Sequence, residues 1–365
     1  MKVLVYQIGQ LGDTIVSIPA LRALHHYLGQ KALIMMMHDV IQRLVTSEMA
    51  LEGTDLIDEF IPYSPEKSVR KKLLTMATLW RRIRNEHFDM VVSLLPSDRP
   101  RWSLLRDRAF FRSCGIRQFV GFRPYTAAEI QPRGLSGRPA RTPHEAILRL
   151  RRLFADGIVE SHDLFAEPLL TVSREHQQAI DSWLAVRRKH PGRPLIALCP
   201  GCKKAGNAWP KERFLEIARR LRSLEAFEIV IAGGPAERDL ANYLTAGLAG
   251  QAISAAGCFS VAESAALFSR CDLLIGLDTG TSHLAAAVGV PCVVIQSANS
   301  FPGQWDPLGA SHSVIRADVP CAGCLHQVCP VAGHPCMQNI SVDTVWQPIE
   351  AFISSHEHHA NHPYV

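Results

Sequence analysis

Twice along the chain, short apolar runs of strand length alternate with longer stretches of helical spacing, a pattern that few architectures other than a helix-covered parallel sheet accept. The first run, Lys2 to Ile8, ends in Gly9-Gln10-Leu11-Gly12-Asp13, after which Ile18, Leu21, Leu24 and Leu28 recur at helical spacing. Strand-like runs follow at 33–37 and 90–95, separated by a helical stretch over 73–83. A second series starts after Pro191-Gly192-Arg193-Pro194, with an apolar run at 195–198 and a helix opened by Trp209-Pro210 that carries Phe214, Ile217, Leu221 and Leu224 on one stripe. A strand at 228–232, Gly233-Gly234 and a helix from Glu237 come next. Ser260-Val261-Ala262-Glu263 is a capping box, and it precedes a strand at 273–275, a helix near 283–287 and a strand at 292–295. At 365 residues the chain exceeds what one core usually holds. Two Rossmann-like α/β domains are therefore expected, 1–168 and 169–345, with the boundary in 167–174 before a helix at 175–188, and a helix end and tail over 346–365. The histidines of that tail, His356, His358, His359 and His362, suggest a frayed terminus rather than a metal site.

No run of about 18 apolar residues is present, and Gln10 and Asp13 interrupt the first apolar stretch before a signal core could form. This predicts a cytoplasmic protein that does not span a membrane. Ten cysteines in such a chain argue for reduced thiols or a metal site rather than a disulfide framework. The net charge of +5 is unevenly placed: from Arg99 to Arg152 there are thirteen arginines and no lysine against three acids, a local balance of +10 that leaves about −5 elsewhere. Such an asymmetry points to a polyanionic partner, and arginine favours bidentate capture of carboxylate or phosphate. The segment lacks the interleaved aromatics of a nucleic-acid stacking platform.

Gly9-x-x-Gly12 lacks the G-x-G-x-x-G spacing of a dinucleotide loop, and Asp13 puts a negative charge where a phosphate would otherwise sit. At the end of the first strand Asp13 fits two roles, a general base or a helix-capping aspartate. Asp278-Thr279-Gly280-Thr281-Ser282-His283 lies between an apolar run and a helix, where small residues and hydroxyls supply donors able to hold a diphosphate without metal. In Gly233-Gly234-Pro235-Ala236-Glu237 a carboxylate follows a glycine turn and is placed to accept ribose hydroxyls.

These segments, with Ile18-Pro19-Ala20-Leu21, Trp209-Pro210 and Phe214, and His283-Leu284-Ala285-Ala286, resemble in order those of glycosyltransferase family 9, the bacterial lipopolysaccharide heptosyltransferases. The resemblance implies a GT-B fold, in which two Rossmann-like domains face each other across a cleft. It also implies inversion at the anomeric carbon, an ADP-heptose donor, an anionic lipopolysaccharide-core acceptor met at the inner membrane surface, and no metal for catalysis. Carried onto this chain, Asp13 is the base, Glu237 holds the donor ribose, and Asp278, Thr279, Gly280 and His283 line the diphosphate end. The family often has a lysine where this chain has Asn207, and Lys203 and Lys204 are the nearby cations that could replace it. The arginine segment is expected to bind the acceptor, through Arg99, Arg101, Arg138 and Arg141 among others.

Cys321, Cys324, Cys329 and Cys336 fall in one short loop, a density compatible with a structural zinc or with packed thiols. Two rival functions remain open on sequence alone. One is a nucleotide-sugar epimerase or hydrolase on a GT-B frame, which needs no anionic acceptor; the other is a catalytically silent paralogue that binds an anionic ligand.

Overall fold

The computed structural model describes residues 1–29, 32–40, 45–64, 68–159, 162–326 and 328–361. The chain forms two compact units, one of Met1–Arg133, Ala140–Thr171 and Gly303–Trp305, the other of Gly134–Pro139, Val172–Pro302 and Asp306–Val365. The division is thus not a single cut, since 134–139 belongs with the second unit and 303–305 with the first.

The first unit is built on a five-stranded sheet of β1 (Lys2–Tyr6), β2 (Leu33–Asp39), β3 (Glu59–Tyr63), β4 (Met90–Ser93) and β5 (Gln118–Val120), in the order β3-β2-β1-β4-β5. All its pairings are parallel, with Val3 opposite both Ile34 and Met90. The central strand is buried on both faces (Val3, Leu4 and Val5), which is why it reads as a continuous apolar run rather than an alternating one. β3 and β5 went unseen in the sequence for opposite reasons: Glu59 and Pro62 break the first as an edge strand, and β5 is only three residues inside the arginine-rich stretch.

The second unit repeats the plan with β6 (Leu195–Cys199), β7 (Glu228–Ile231), β8 (Ile253–Ser254), β9 (Leu273–Leu277), β10 (Cys292–Ile295) and β11 (His312–Ile315), in the parallel order β11-β10-β9-β6-β7-β8. Helix Lys211–Ser223 presents Phe214, Ile217, Ala218 and Leu221 to the core, where Phe214 meets Trp209 edge-on with ring centroids 5.0 Å apart. The helix Val342–Asn361 buries Val345, Ile349 and Ile353 in the same core. His362 lies outside the described residues, as do the side chains of His356, His358 and His359. No helix among the described residues is long and apolar enough to cross a membrane.

In each sheet the chain order reverses beside its first strand, between β1 and β4 in one unit and between β6 and β9 in the other. Loops diverge at such a switch point and leave a crevice at the carboxyl edge of the sheet. Near the close of the first unit, the Arg22 guanidinium donates to four backbone carbonyls, those of Leu164, Ala166, Pro168 and Leu169, at 2.8–3.3 Å. One side chain from helix Ile18–Leu28 thereby shapes the whole 164–169 loop.

Candidate functional site

In the first unit the chemistry gathers behind β1. Residues 7–10 separate the strand from the helix Leu11–Val16, which makes Asp13 the third residue of its first turn, not the N-cap; the cap is Gln10, whose backbone N–H donates to Asp13 Oδ2 at 3.0 Å. The carboxylate is held on its other side by Arg149, with Nη2 3.5 Å from Oδ1, yet the side chain stays 23% exposed. Gly9 is obligatory here because a Cβ at that position would lie 2.4 Å from the Asp13 Cβ. Gly9 therefore clears space for the acid.

The arginine segment splits into two populations. Arg101, Arg108 and Arg112 are exposed on helix Arg101–Ser113, and Arg99 is half-buried just ahead of it. Arg149 and Arg152 point the other way. Both are buried, Arg152 donating to the carbonyls of Leu95 and Ser97 at 2.9 and 3.1 Å. Helical phase could have found them, since Arg149 stands three residues after Ala146 and four before Leu153, on the apolar stripe. Arg138 departs from expectation as well: it belongs to the second unit and is ion-paired with Asp318, so it is not a free cation of the first unit's face. Arg141 lies in the first unit and is exposed, with its side chain against Gly303.

The second unit brings its predicted residues together around the ends of β6, β7 and β9. The Glu237 side chain lies over three glycines, for a Cβ at Gly201 would be 2.1 Å from its Cγ, one at Gly233 3.0 Å from its Cβ and one at Gly234 3.1 Å from its Oε2. The loops after β6 and β7 thus close on one carboxylate. Its charge adds to burial in pushing the Cys202 thiol up to about 11.

Helix Gly280–Ala287 follows β9, with Thr279 as its N-cap. The Thr279 and Thr281 hydroxyls are 2.8 Å apart, whereas Ser282 is turned inward to donate to the Leu277 carbonyl at 2.7 Å. Two of the three hydroxyls remain on the helix mouth and the third serves the fold. Burial raises the Asp278 carboxyl, offset by the Gln296 amide and by the Arg316 and Lys204 cations. Lys204 is therefore the exposed lysine that bears on the loop after β9. Asn207, in the place of the family lysine, is buried and accepts from Asn299 Nδ2 at 3.2 Å, which commits it to the loop.

Burial raises the Cys321 thiol, and the thiols of Cys324, Cys336 and Cys329 each add to that rise. They do not form a ligand set as placed. Among the described residues no three Cys, His, Asp or Glu side chains stand so as to hold a metal ion. Cys336 is buried against Ser297, and Cys329 Sγ lies 3.6 Å from the Val331 carbonyl.

Two parallel, doubly wound sheets, each with its polar residues in loops at the carboxyl edge, define a protein of the GT-B glycosyltransferase class. The profile of glycosyltransferase family 9 (heptosyltransferase) matches residues 76–334, and the chain belongs to that family. It is 28% identical over 191 residues to lipopolysaccharide heptosyltransferase 1 of Pseudomonas aeruginosa, covering 52% of this chain; the match spans about half, 50%, of that relative's length. Among solved structures, the family 9 glycosyltransferase of Veillonella parvula superposes with a TM-score of 0.76 at 21% identity, covering 97% of both chains. The ADP-heptose lipopolysaccharide heptosyltransferase II of E. coli superposes at 0.69 with 20% identity, covering 98% of this chain and all, 100%, of that one.

The buried His283 provides a pH test of this architecture. Burial, with the neighbouring His312, lowers its pKa from 6.5 to about 4, and its Nδ1 has no hydrogen-bond partner among the described residues. Between those two pH values the unfolded chain binds the proton that the folded chain excludes, so stability falls as pH drops through this window. Denaturant unfolding from pH 7 to 4 should show a loss on the order of 3 kcal/mol from this group, and His283→Gln should remove that component of the slope.

Proposed function

We propose that this protein is an inverting heptosyltransferase that moves heptose from ADP-heptose to the inner core of lipopolysaccharide. The observation that carries the reading is the Asp13 carboxylate: partly exposed at the carboxyl edge of β1, oriented by a backbone N–H and a buried arginine, with Gly9 leaving room for it. The E. coli neighbour is named as an ADP-heptose heptosyltransferase, and family membership supports the same donor here.

In this mechanism Asp13 takes the proton from an acceptor hydroxyl as its oxygen attacks the anomeric carbon. The bond from that carbon to the diphosphate breaks, ADP leaves with the electron pair, and a single displacement inverts the centre. Donors fixed in advance on the second unit meet the charge that develops on the leaving group: the N-terminus of helix Gly280–Ala287, the Thr279 hydroxyl and Lys204, with Lys203 exposed beside it. His283, kept neutral by burial, backs that turn without adding charge. Glu237 accepts the ribose hydroxyls. No metal takes part in this scheme, since the protein's own dipoles and cations meet the phosphate charge.

Asp13→Asn removes only the proton acceptor, so kcat should fall by about 10²- to 10⁴-fold while ADP binding by calorimetry stays unchanged. Near-normal turnover in purified assay, with EDTA present, would show that the base lies elsewhere.

The first unit also supports contact with the membrane that carries such an acceptor. Trp102 and Leu105 are 64% and 65% exposed on the helix that presents Arg101, Arg108 and Arg112. Aromatic and aliphatic anchors flanked by arginine suit an anionic lipid surface. Arg99 and Arg101 are the cations assigned to the acceptor. Arg99→Gln with Arg101→Gln should raise the KM of a water-soluble, acyl-free acceptor about fivefold at low salt, leaving donor KM in place; an equal rise for both substrates counts against the assignment.

A structural zinc at Cys321, Cys324, Cys329 and Cys336 is a separate proposal, supported by the gathering of four cysteines in one short loop and requiring them to turn toward a common ion. Elemental analysis of anaerobically purified protein should then give about one zinc per chain, and a metal-free result leaves four packed thiols.

A further inference from the structure

Behind Asp13 lies a buried ionic cluster that sequence reading divided between an acceptor face and its counter-charges. Helix Glu145–Ala155 carries Glu145 and Arg149 one turn apart, both side chains with 0% exposure. Arg149 Nε donates to Glu145 Oε1 at 3.2 Å, and the other end of the guanidinium reaches Asp13: Nη1 donates to its backbone carbonyl at 2.7 Å and to Ser17 Oγ, and Nη2 faces Oδ1 at 3.5 Å. Glu145 is tied in turn to the loop after β4. Its Oε1 accepts from the Ser97 N–H at 2.8 Å, and its Oε2 accepts from Ser97 Oγ at 2.6 Å and Gln304 Nε2 at 3.3 Å. The Glu145 N–H donates to the Gln304 carbonyl at 2.9 Å.

β1 and β4 are the two strands at the switch point, so this pair spans the two loops that border the crevice. A buried pair of this kind is a weak source of stability, because desolvating both charges offsets most of their attraction. What it does supply is geometry. A guanidinium is a rigid planar fork, and fixing one end on a fully hydrogen-bonded carboxylate fixes the other end on Asp13.

We propose that Glu145 and Arg149 are positioning residues for the transfer reaction, holding the Asp13 carboxylate in register with the Ser97 loop, and that Gln304 completes the hold on Glu145. Neither side chain is exposed to reach substrate, so both act through Asp13. The proposal rests on Asp13 being the base, and its test keeps the two apart.

The test is a kinetic cycle on the full chain, with ADP-heptose and an acyl-free lipopolysaccharide-core acceptor, over Asp13→Asn, Arg149→Lys and the double variant. Arg149→Lys keeps the buried charge and loses the fork. It should lower kcat by about 10- to 100-fold with donor KM and ADP affinity unchanged. In the double variant the loss should equal that of Asp13→Asn alone within about twofold, because an arginine that works only through the base has nothing left to position. Losses that multiply in the double variant, or an Arg149→Lys enzyme with normal kcat, overturn the positioning role. An Asp13→Asn enzyme with normal kcat overturns the base assignment instead. Glu145→Gln carries the same cycle if Arg149→Lys does not fold, and it is held to the same non-additivity.

Discussion

Parallel pairing of the first strand with a neighbour on each side governs the rest of this molecule. A parallel strand cannot be reached by a tight turn, so the chain crosses over between strands, mostly through helices, and every strand delivers its carboxyl end to the same edge. With β1 between β2 and β4, and β6 between β7 and β9, each sheet opens a crevice at the place where successive connections part. The acids given a chemical role stand past such strand ends, Asp278 immediately after β9, and Asp13 and Glu237 in the first turns that follow β1 and β7. The edge strands complete the cores, whereas the helices that follow the strands carry part of the chemistry: Asp13 stands in the first turn of Leu11–Val16, the leaving group meets the start of Gly280–Ala287, and Glu145–Ala155 supplies Glu145 and Arg149.

The two units solve the same local problem alike. A carboxylate close to a sheet edge needs space for its side chain and partners for its charge. Asp13 takes its space from Gly9, and Glu237 takes it from Gly201, Gly233 and Gly234, glycines whose added Cβ would overlap the acid. These glycines are not required by positive φ: none of the four is among the left-handed positions of the backbone. Close approach, not turn geometry, selects them. A phosphate-loop interpretation of such glycines fails for the same reason, because the space they leave is already filled by a negative side chain.

Much of this architecture is legible in the sequence. Strands buried on both faces announce themselves as unbroken apolar runs, so β1, β2, β4, β6, β7, β9 and β10 can all be placed from sequence. The short edge strands β3, β8 and β11 pack on fewer neighbours and tolerate Pro62, Ser254 and Ser313, which hid them. The motif acids were found because small residues flank them in sequence. Arg149 and Arg152 were misjudged because charge counting treats every arginine as solvated, whereas position on an apolar helical stripe decides which of them turns inward. Glu145, counted merely as one of three acids diluting a basic segment, is the acceptor that keeps Arg149 in place. Ser97 and Gln304 carried no sequence signal, since their partners are 48 and 159 residues away.

The loop gathered by Arg22 illustrates a different kind of economy. The guanidinium addresses only main-chain carbonyls, and it contacts no side chain of the 164–169 segment through those bonds. A shape imposed in this way is indifferent to the letters written along the loop. Leu164 and Leu169 still answer to the core, but Phe165, Ala166 and Glu167 face solvent and are free to drift. In evolutionary terms the information for that segment's conformation is stored at a position more than a hundred residues away, and relatives could rewrite the loop while keeping its path, provided the arginine on the distant helix persists.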